Sequence, residues 1–129
     1  MPVKILVADD NAAVRSTIAS MLKTDSTFEL VGEAVDFAQT LELVAAVKPD
    51  ILLLDLHMPD ESNYSHEFLK RHFLQSAGCI LAISVWNDQD AKALAESFGA
   101  KHLLDKTNLC AQLIPSIKLF CQSLSSPRD

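Results

Sequence analysis

The chain alternates between short apolar runs and longer stretches with helical periodicity, and this alternation occurs five times. The apolar runs are Val3 to Ala8, Phe28 to Val35, Ile51 to Leu54, Cys79 to Ile83 and His102 to Leu104. Short apolar runs of this kind suit strands that are covered on both faces, as parallel strands are. Strands that alternate with helices imply right-handed crossovers and helices on both faces of one sheet. We therefore predict an α/β fold with a doubly wound, five-stranded parallel sheet.

The stretches between the runs carry apolar residues at the spacing of one helix face. These residues are Val14, Ile18, Met21 and Leu22, then Phe37, Leu41, Val44 and Ala45, then Phe68, Leu69 and Phe73, then Ala91, Leu94, Ala95 and Phe98, and finally Leu109, Leu113, Ile117 and Phe120. Asp36 is placed to cap the second helix, and Gly99 to end the fourth. Pro115 lies inside the last stripe and should bend that helix or loosen its first turns.

Length and composition narrow the class of protein. A chain of 129 residues with 49% hydrophobic residues is enough for one folded domain with a real core. The net charge is −6 without a run of lysine or arginine, so direct binding of nucleic acid is not expected. Cys79, Cys110 and Cys121 lack C-x-x-C spacing, which favours reduced and mostly buried thiols. We find no signal-peptide pattern and no stretch of membrane-spanning length, and we expect a cytoplasmic domain without a membrane partner.

Polar residues follow the predicted strands where the chain leaves the sheet. Asp9 and Asp10 end the first strand, Asp55 the third and Ser84 the fourth, and Lys106 follows the fifth. Ligands of doubly wound sheets bind at the carboxyl ends of the strands, so we expect these side chains to converge. Three adjacent carboxylates repel one another, and Mg²⁺ with its preference for oxygen ligands would relieve the repulsion. A carboxylate can also attack phosphorus, with a lysine and a hydroxyl neutralising the transferred oxygens.

Each of these residues also has a simpler interpretation when it is considered alone. The Asp9 and Asp10 pair could cap a helix, and Asp55 before HMPD could serve a turn. Lys106 could be a solvated surface lysine. Their joint occurrence at successive strand ends favours a common site over these separate interpretations.

The segments KILVADDN, ILLLDLHMPD, AISVW and FGAKHLLDKT, in this order, resemble the response-regulator receiver domain of bacterial two-component signalling over essentially the whole chain. The resemblance implies a flavodoxin-like fold with strand order 2-1-3-4-5. It implies that Asp55 is the phosphoacceptor and receives its phosphoryl group from a phosphohistidine of a sensor histidine kinase or a phosphotransfer protein. Lys106 matches the lysine that pairs with the phosphoryl group, and Ser84 the hydroxyl that swings onto it.

The resemblance also implies a Mg²⁺ site. Asp10 and Asp55 match its direct side-chain ligands, Asp9 a ligand that acts mainly through water, and His57 the position whose backbone carbonyl completes the site. Enzymatic activity would then be limited to Mg²⁺-dependent self-phosphorylation and autodephosphorylation.

The expected partner on the output side is a downstream protein or a second copy of the chain. The family's usual surface for such contacts comprises the fourth helix, the fifth strand and the fifth helix. We assign 1–123 to the receiver domain and 124–129 to a tail or the start of a linker. Composition does not separate a stand-alone receiver from one excised from a longer regulator.

Several positions differ from the family's usual residues. Leu103 occupies the place of an aromatic residue that normally rotates on activation, which puts the usual coupling in doubt. Asn63 replaces a loop glycine and should tolerate left-handed backbone, and Thr107 replaces a proline and could cap the last helix. Val85 replaces a small residue, with Trp86 next to it. We predict that the bulk of His57, Val85 and Trp86 around Asp55 slows both phosphorylation and loss of the phosphoryl group.

Two other functions stay open from the sequence. Aspartate-nucleophile phosphatases also form an aspartyl phosphate, but they usually need a second acidic residue two places after the nucleophile, where this chain has His57. A phosphorylation-independent interaction module would use only the surface of the fold, and Leu103 is compatible with it.

Overall fold

Residues 2–125 are described in a computed structural model, with side chains described as far as Leu119. The strands are β1 (Val3–Ala8), β2 (Phe28–Ala34), β3 (Ile51–Asp55), β4 (Cys79–Ser84) and β5 (His102–Asp105). The helices are α1 (Ala12–Leu22), α2 (Phe37–Val47), α3 (His66–Ser76), α4 (Gln89–Ser97) and α5 (Leu109–Ser125), with short 3-10 turns at Glu61–Asn63 and Lys106–Asn108. The strands pair in parallel in the order β2-β1-β3-β4-β5, which confirms the predicted fold.

The central strand β3 is buried along its whole length, and its side chains divide between two cores. Because side chains alternate along a strand, Leu52 and Leu54 belong to the core that also holds Phe37 of α2 and Phe73 of α3. Ile51 and Leu53 belong to the core on the opposite face. That second core includes residues of α1 and α5, namely Ile18, Leu22, Leu113 and Ile117. Helices therefore cover both faces, and only the ends of β3 can present polar groups.

Two of the predicted helix ends are confirmed. The Asp36 carboxylate caps α2 by accepting a hydrogen bond from the Gln39 amide at 2.8 Å. Gly99 follows α4 with a φ of 82°, in the left-handed region where glycine is favoured. A Cβ atom at Gly99 would lie 2.9 Å from Leu74 Cδ1, so a side chain there would also displace the end of Leu74 on α3.

Two other local expectations are wrong. Asn63 lies in a 3-10 turn, and among the described residues only Lys48 and Gly99 have a positive φ. Thr107 does not cap α5; its amide and its hydroxyl instead donate to Asp105 Oδ1 at 2.9 and 2.6 Å. These two bonds hold the pKa of Asp105 below its ordinary value. The carboxylate of Asp105 thus organises the turn that carries Lys106.

The end of the chain is described only in part. α5 continues through Pro115 to Ser125, while the side chains of Phe120 and Cys121 and residues 126–129 lie outside the described part. The assignment of 124–129 to a tail or linker therefore stays a prediction. Across the described residues, we find no helix long and apolar enough to span a membrane.

Candidate functional site

The ends of adjacent strands bring the predicted carboxylates together. β1 and β3 are neighbours with Ala8 opposite Leu54, so Asp9 leaves the sheet beside Asp55. Asp9 and Asp55 are buried, with 0% and 3% of their surface exposed, while Asp10 is exposed. One carboxylate oxygen from each of Asp9, Asp10 and Asp55 lies within 4.8 Å of the others. The expected acidic cluster is therefore present at the carboxyl edge of the sheet.

Lys106 links two of these carboxylates. Its Nζ lies 2.8 Å from Asp9 Oδ2 and 3.2 Å from Asp55 Oδ2. Lys106 begins the 3-10 turn after β5, and its side chain reaches past β4 to the ends of β1 and β3. Asp9 Oδ2 is completely buried and, apart from this ion pair, has no well-directed hydrogen bond. The contact with Lys106 compensates the charge of Asp9. Its Oδ2 can still accept a further hydrogen bond or bind a cation.

The other contacts of Asp9 show why it is held in this position. Its Oδ1 accepts the Asn11 amide at 2.8 Å, and its backbone carbonyl accepts Arg15 Nη1 at 2.8 Å. Asn11, and not the acidic pair, caps α1, because its side chain accepts the amides of Ala13 and Val14. The simpler interpretation of the Asp9 and Asp10 pair as a helix cap is therefore wrong.

The electrostatics of the cluster distinguish Asp55 from an ordinary aspartate. Burial, and then the negative charge of Asp9, raise the pKa of Asp55 to about 6. Lys106 and the His57 amide, which donates to Asp55 Oδ1 at 3.2 Å, counteract part of this rise. Burial alone would lower the pKa of Lys106, but its hydrogen bond to Asp9 and the charges of both carboxylates raise it. Asp55 is therefore largely ionised above neutral pH beside a charged ammonium group.

The loop after Asp55 is anchored by a residue that the sequence analysis missed. Asp60 Oδ1 accepts the amide of Phe37 at 2.9 Å, and its Oδ2 accepts the amide of Ala38 at 3.0 Å. These amides belong to the first turn of α2, where carboxylates are favoured because the N–H groups lack partners in the helix. Leu56 and Met58 of the same loop are buried. The spacing along the chain gave no signal for this anchor, since the partners lie more than twenty residues apart.

The loop after Ser84 is arranged differently. Ser84 is buried, and its Oγ accepts the amide of Trp86 at 3.0 Å. Val85 and Trp86 are 53% and 56% exposed. The rings of Trp86 and His57 meet nearly perpendicular, with centroids 5.3 Å apart. Trp86 thus packs against His57, whose amide donates to Asp55 Oδ1, and the predicted slowing by bulk around Asp55 stays a prediction.

Comparison with known proteins shows relatives with similar sequences. The chain is 31% identical over 121 residues to the transcriptional regulatory protein PdtaR of Mycobacterium tuberculosis (strain ATCC 25618 / H37Rv), covering 92% of this chain and 57% of PdtaR. It is 31% identical over 112 residues to protein-glutamate methylesterase/protein-glutamine glutaminase 2 of Anaeromyxobacter dehalogenans (strain 2CP-C), covering 87% of this chain and 32% of that protein. The chain thus spans 32% to 57% of the length of these relatives.

Solved structures share the fold over nearly the whole chain. The signal receiver domain of NarL from Mycobacterium tuberculosis matches with a TM-score of 0.80 and 27% identity, covering 95% of this chain and 97% of that one. The response regulator domain of Thermotoga maritima CheB matches with a TM-score of 0.78 and covers 92% of this chain and 96% of that one. At 21% identity the CheB domain supports the fold alone.

A sequence model of one family, described as the response regulator receiver domain, matches residues 5–118. Receiver domains act in two-component signalling, and acceptance of a phosphoryl group is typical of the family, so an interaction module independent of phosphorylation is not favoured. A signalling role without enzymatic action on other molecules fits such a domain. On the strength of this match, the fold and the acidic cluster, the chain belongs to the response regulator receiver domain family.

Proposed function

We propose that Asp55 accepts a phosphoryl group from a phosphohistidine of a sensor histidine kinase or a phosphotransfer protein. One observation carries this proposal: the buried Asp55 carboxylate lies 3.2 Å from Lys106 Nζ. Phosphoryl transfer to a carboxylate requires a nucleophilic carboxylate and a cation that neutralises the transferred oxygens. Asp55 and Lys106 would supply these two groups.

In the proposed step, a carboxylate oxygen of Asp55 forms a bond to phosphorus while the bond between phosphorus and the donor's histidine nitrogen breaks. The released imidazole takes a proton from solvent, and the product on Asp55 is an acyl phosphate. Lys106 neutralises charge on the phosphoryl oxygens, which is the main contribution that a protein makes to such a transfer. The Ser84 hydroxyl, whose oxygen accepts the Trp86 amide, still has its proton to donate to a phosphoryl oxygen.

The acidic cluster fits Mg²⁺. Asp9, Asp10 and Asp55 offer hard oxygen ligands within 4.8 Å of one another, and apart from its ion pair with Lys106 the buried Asp9 Oδ2 lacks a well-directed hydrogen bond. We propose these three residues as ligands, together with the backbone carbonyl of His57. When bound, Mg²⁺ supplies further neutralisation of the transferred oxygens.

Receiver domains interact with histidine kinases and with downstream effector domains. For this chain we propose a protein target or a second copy that contacts the surface of α4, β5 and α5. The proposed domain covers 1–123, and catalysis is limited to phosphorylation and dephosphorylation of Asp55.

The test is phosphorylation by acetyl phosphate in the presence of Mg²⁺, followed by mass spectrometry of the intact protein. We expect the wild type to gain the mass of one phosphoryl group and Asp55→Asn to gain none. Asp25→Asn, a change at an aspartate outside the cluster, serves as the matched control and should behave as the wild type. Removal of Mg²⁺ with EDTA should abolish the gain in mass.

Two results would overturn the proposal. Retained phosphorylation in Asp55→Asn would exclude Asp55 as the acceptor. A wild type that acquires no phosphoryl group, and whose Trp86 fluorescence ignores beryllofluoride with Mg²⁺, would favour an interaction module that does not depend on phosphorylation.

A further inference from the structure

A groove with a volume of about 250 Å³ lies between His57, the loop after β4 and the first turns of α4. It is lined by His57, Trp86, Asp88, Asp90, Ala91 and Leu94. The groove combines an apolar wall with two carboxylates, and none of the described residues that line it is a lysine or an arginine. This composition differs from that of the Asp55 cluster, where Lys106 already compensates the acidic groups.

The chemistry of the groove matches a side chain with an apolar stem and a cationic head. Trp86 is 56% exposed and offers an indole ring, on which a guanidinium stacks favourably. Asp88 and Asp90 are both exposed and lie at the start of α4. Their two negative charges exceed the partial positive charge of about half an elementary charge at a helix N-terminus. The groove therefore attracts a cation despite its position beside that terminus.

The walls of the groove are tied to the proposed phosphorylation site by hydrogen bonds. The Trp86 amide donates to Ser84 Oγ at 3.0 Å, and the His57 amide donates to Asp55 Oδ1 at 3.2 Å. We infer that this groove binds an arginine side chain of a basic segment in a protein partner, and that phosphorylation of Asp55 changes its affinity through the Ser84–Trp86 hydrogen bond. The second half of this inference rests on the proposed function of Asp55.

The proposed coupling follows from what Ser84 would do. When its hydroxyl turns toward a phosphoryl oxygen, the oxygen that holds the Trp86 amide changes direction or moves away. The Trp86 amide must then donate to another acceptor or to water. Because the Trp86 side chain forms one wall of the groove, this change would alter the groove. This short connection does not involve Leu103, which has no ring to rotate. The net charge of −6 further favours encounter with a basic partner.

The test uses NMR, because the chain has one tryptophan and therefore one indole N–H signal. The probes are N-acetyl-arginine amide and N-acetyl-norleucine amide, which differ in the cationic head. We expect the arginine probe to shift the indole signal of Trp86 and the amide signals of Ala91 and Leu94. The norleucine probe should bind at least about threefold more weakly, as an exposed cation–π contact and surface ion pairs imply.

A pair of double variants isolates the two carboxylates. Asp88→Asn with Asp90→Asn removes their charge while asparagine keeps the helix cap, and we expect about threefold to tenfold weaker binding of the arginine probe. Glu29→Gln with Glu42→Gln removes the same charge from exposed positions of β2 and α2, and should leave binding unchanged. Equal binding of the two probes, or equal loss in both double variants, would overturn the assignment of the groove.

The coupling is tested by repeating the titration with beryllofluoride and Mg²⁺. We expect the affinity for the arginine probe to change by at least about threefold in the wild type and to stay constant in Ser84→Ala. If acetyl phosphate labels Asp55 but the affinity does not change, the coupling is wrong and the proposed function stands. If Asp55 is not labelled while the arginine probe still binds selectively, the proposed function and the coupling fail and the basic ligand stands.

Discussion

The loops that follow β3 and β4 leave the sheet side by side, yet they are held in very different ways. The loop after Asp55 buries Leu56 and Met58, and Asp60 joins it to two amides of α2. The loop after Ser84 exposes Val85 and Trp86. Its described attachments are the Trp86 amide on Ser84 Oγ, the ring contact of Trp86 with His57 and the capping of α4 by Asp88.

The difference separates two tasks. A buried, doubly anchored loop keeps Asp55, the proposed nucleophile, and the His57 amide in one geometry, which phosphoryl transfer requires. An exposed loop with few attachments can change its conformation at low free-energy cost. A segment whose conformation depends on a bound group must be able to change in this way. We expect substitutions after β3 to change stability strongly, and substitutions after β4 to change mainly the lifetime of the phosphorylated state.

The largest effect is expected for Asp55→Asn. The pKa of Asp55 in the folded protein is about 6, above its ordinary value of 3.8, so the folded state binds this proton more tightly than the unfolded state does. Ionised Asp55 therefore destabilises the fold, and this penalty is absent below about pH 4 and complete above about pH 6. In Mg²⁺-free buffer at pH 7, Asp55→Asn should raise the free energy of unfolding by on the order of 2 kcal/mol.

Urea denaturation between pH 4 and pH 8 measures this effect. The advantage of Asp55→Asn should appear as the pH rises from about 4 to about 6 and should shrink when Mg²⁺ is added to the wild type. An advantage of the same size at every pH would contradict the electrostatic cause. Ser84→Ala is the matching change at the end of β4 and should cost no more than about 1 kcal/mol, because the freed Trp86 amide can turn to water.

The second effect compares two carboxylates that bind helix amides. Asp60→Ala removes two charge-assisted hydrogen bonds to α2 and should lower the free energy of unfolding by about 2 kcal/mol. Asp88→Ala removes one described bond, to the Ala91 amide, and should cost about 1 kcal/mol. Asp60→Asn keeps one acceptor oxygen and should lie between Asp60→Ala and the wild type in the same urea experiment. Equal losses of unfolding free energy in Asp60→Ala and Asp88→Ala would refute the proposed difference in anchoring.

The smallest expected change in free energy is in the barrier to loss of the phosphoryl group, when the bulky side chains of the loop after β4 are removed. Trp86→Ala and Val85→Ala should open a path for the water that attacks the acyl phosphate. We expect each to accelerate loss of the phosphoryl group by about threefold, which corresponds to about 0.7 kcal/mol in the activation barrier. The measurement is the decay of phosphorylated protein after removal of the donor, followed by mass spectrometry.

Leu119→Ala is the control for this rate, because Leu119 is 65% exposed on α5. It should leave the decay unchanged. If Trp86→Ala and Val85→Ala also leave it unchanged, steric hindrance at the site is not what sets the lifetime.

The sequence predicted the fold well because its signals are local. Apolar runs and helical stripes report burial directly, and the five strands of the structure begin at the predicted residues. Predictions for single turn positions were less accurate, because several local hydrogen-bonding arrangements compete there. Thr107 was expected to cap a helix, but the nearby Asp105 carboxylate captured its amide and hydroxyl. Asn63 was expected to tolerate left-handed backbone, but the loop closes there as a 3-10 turn without a positive φ at Asn63.

By itself, the sequence determined that Asp9, Asp10, Asp55, Ser84 and Lys106 meet at one edge, since each follows a strand and parallel strands end together. Only the tertiary structure decided how they interact. The contact of Lys106 with both Asp9 and Asp55, and the raised pKa of Asp55, depend on distances and burial that no spacing along the chain contains. The anchoring of Asp60 on α2 and the groove beside Trp86 likewise depend on contacts between segments that are far apart in the sequence. Such contacts form between different helices, strands and loops, so a local sequence pattern does not contain them.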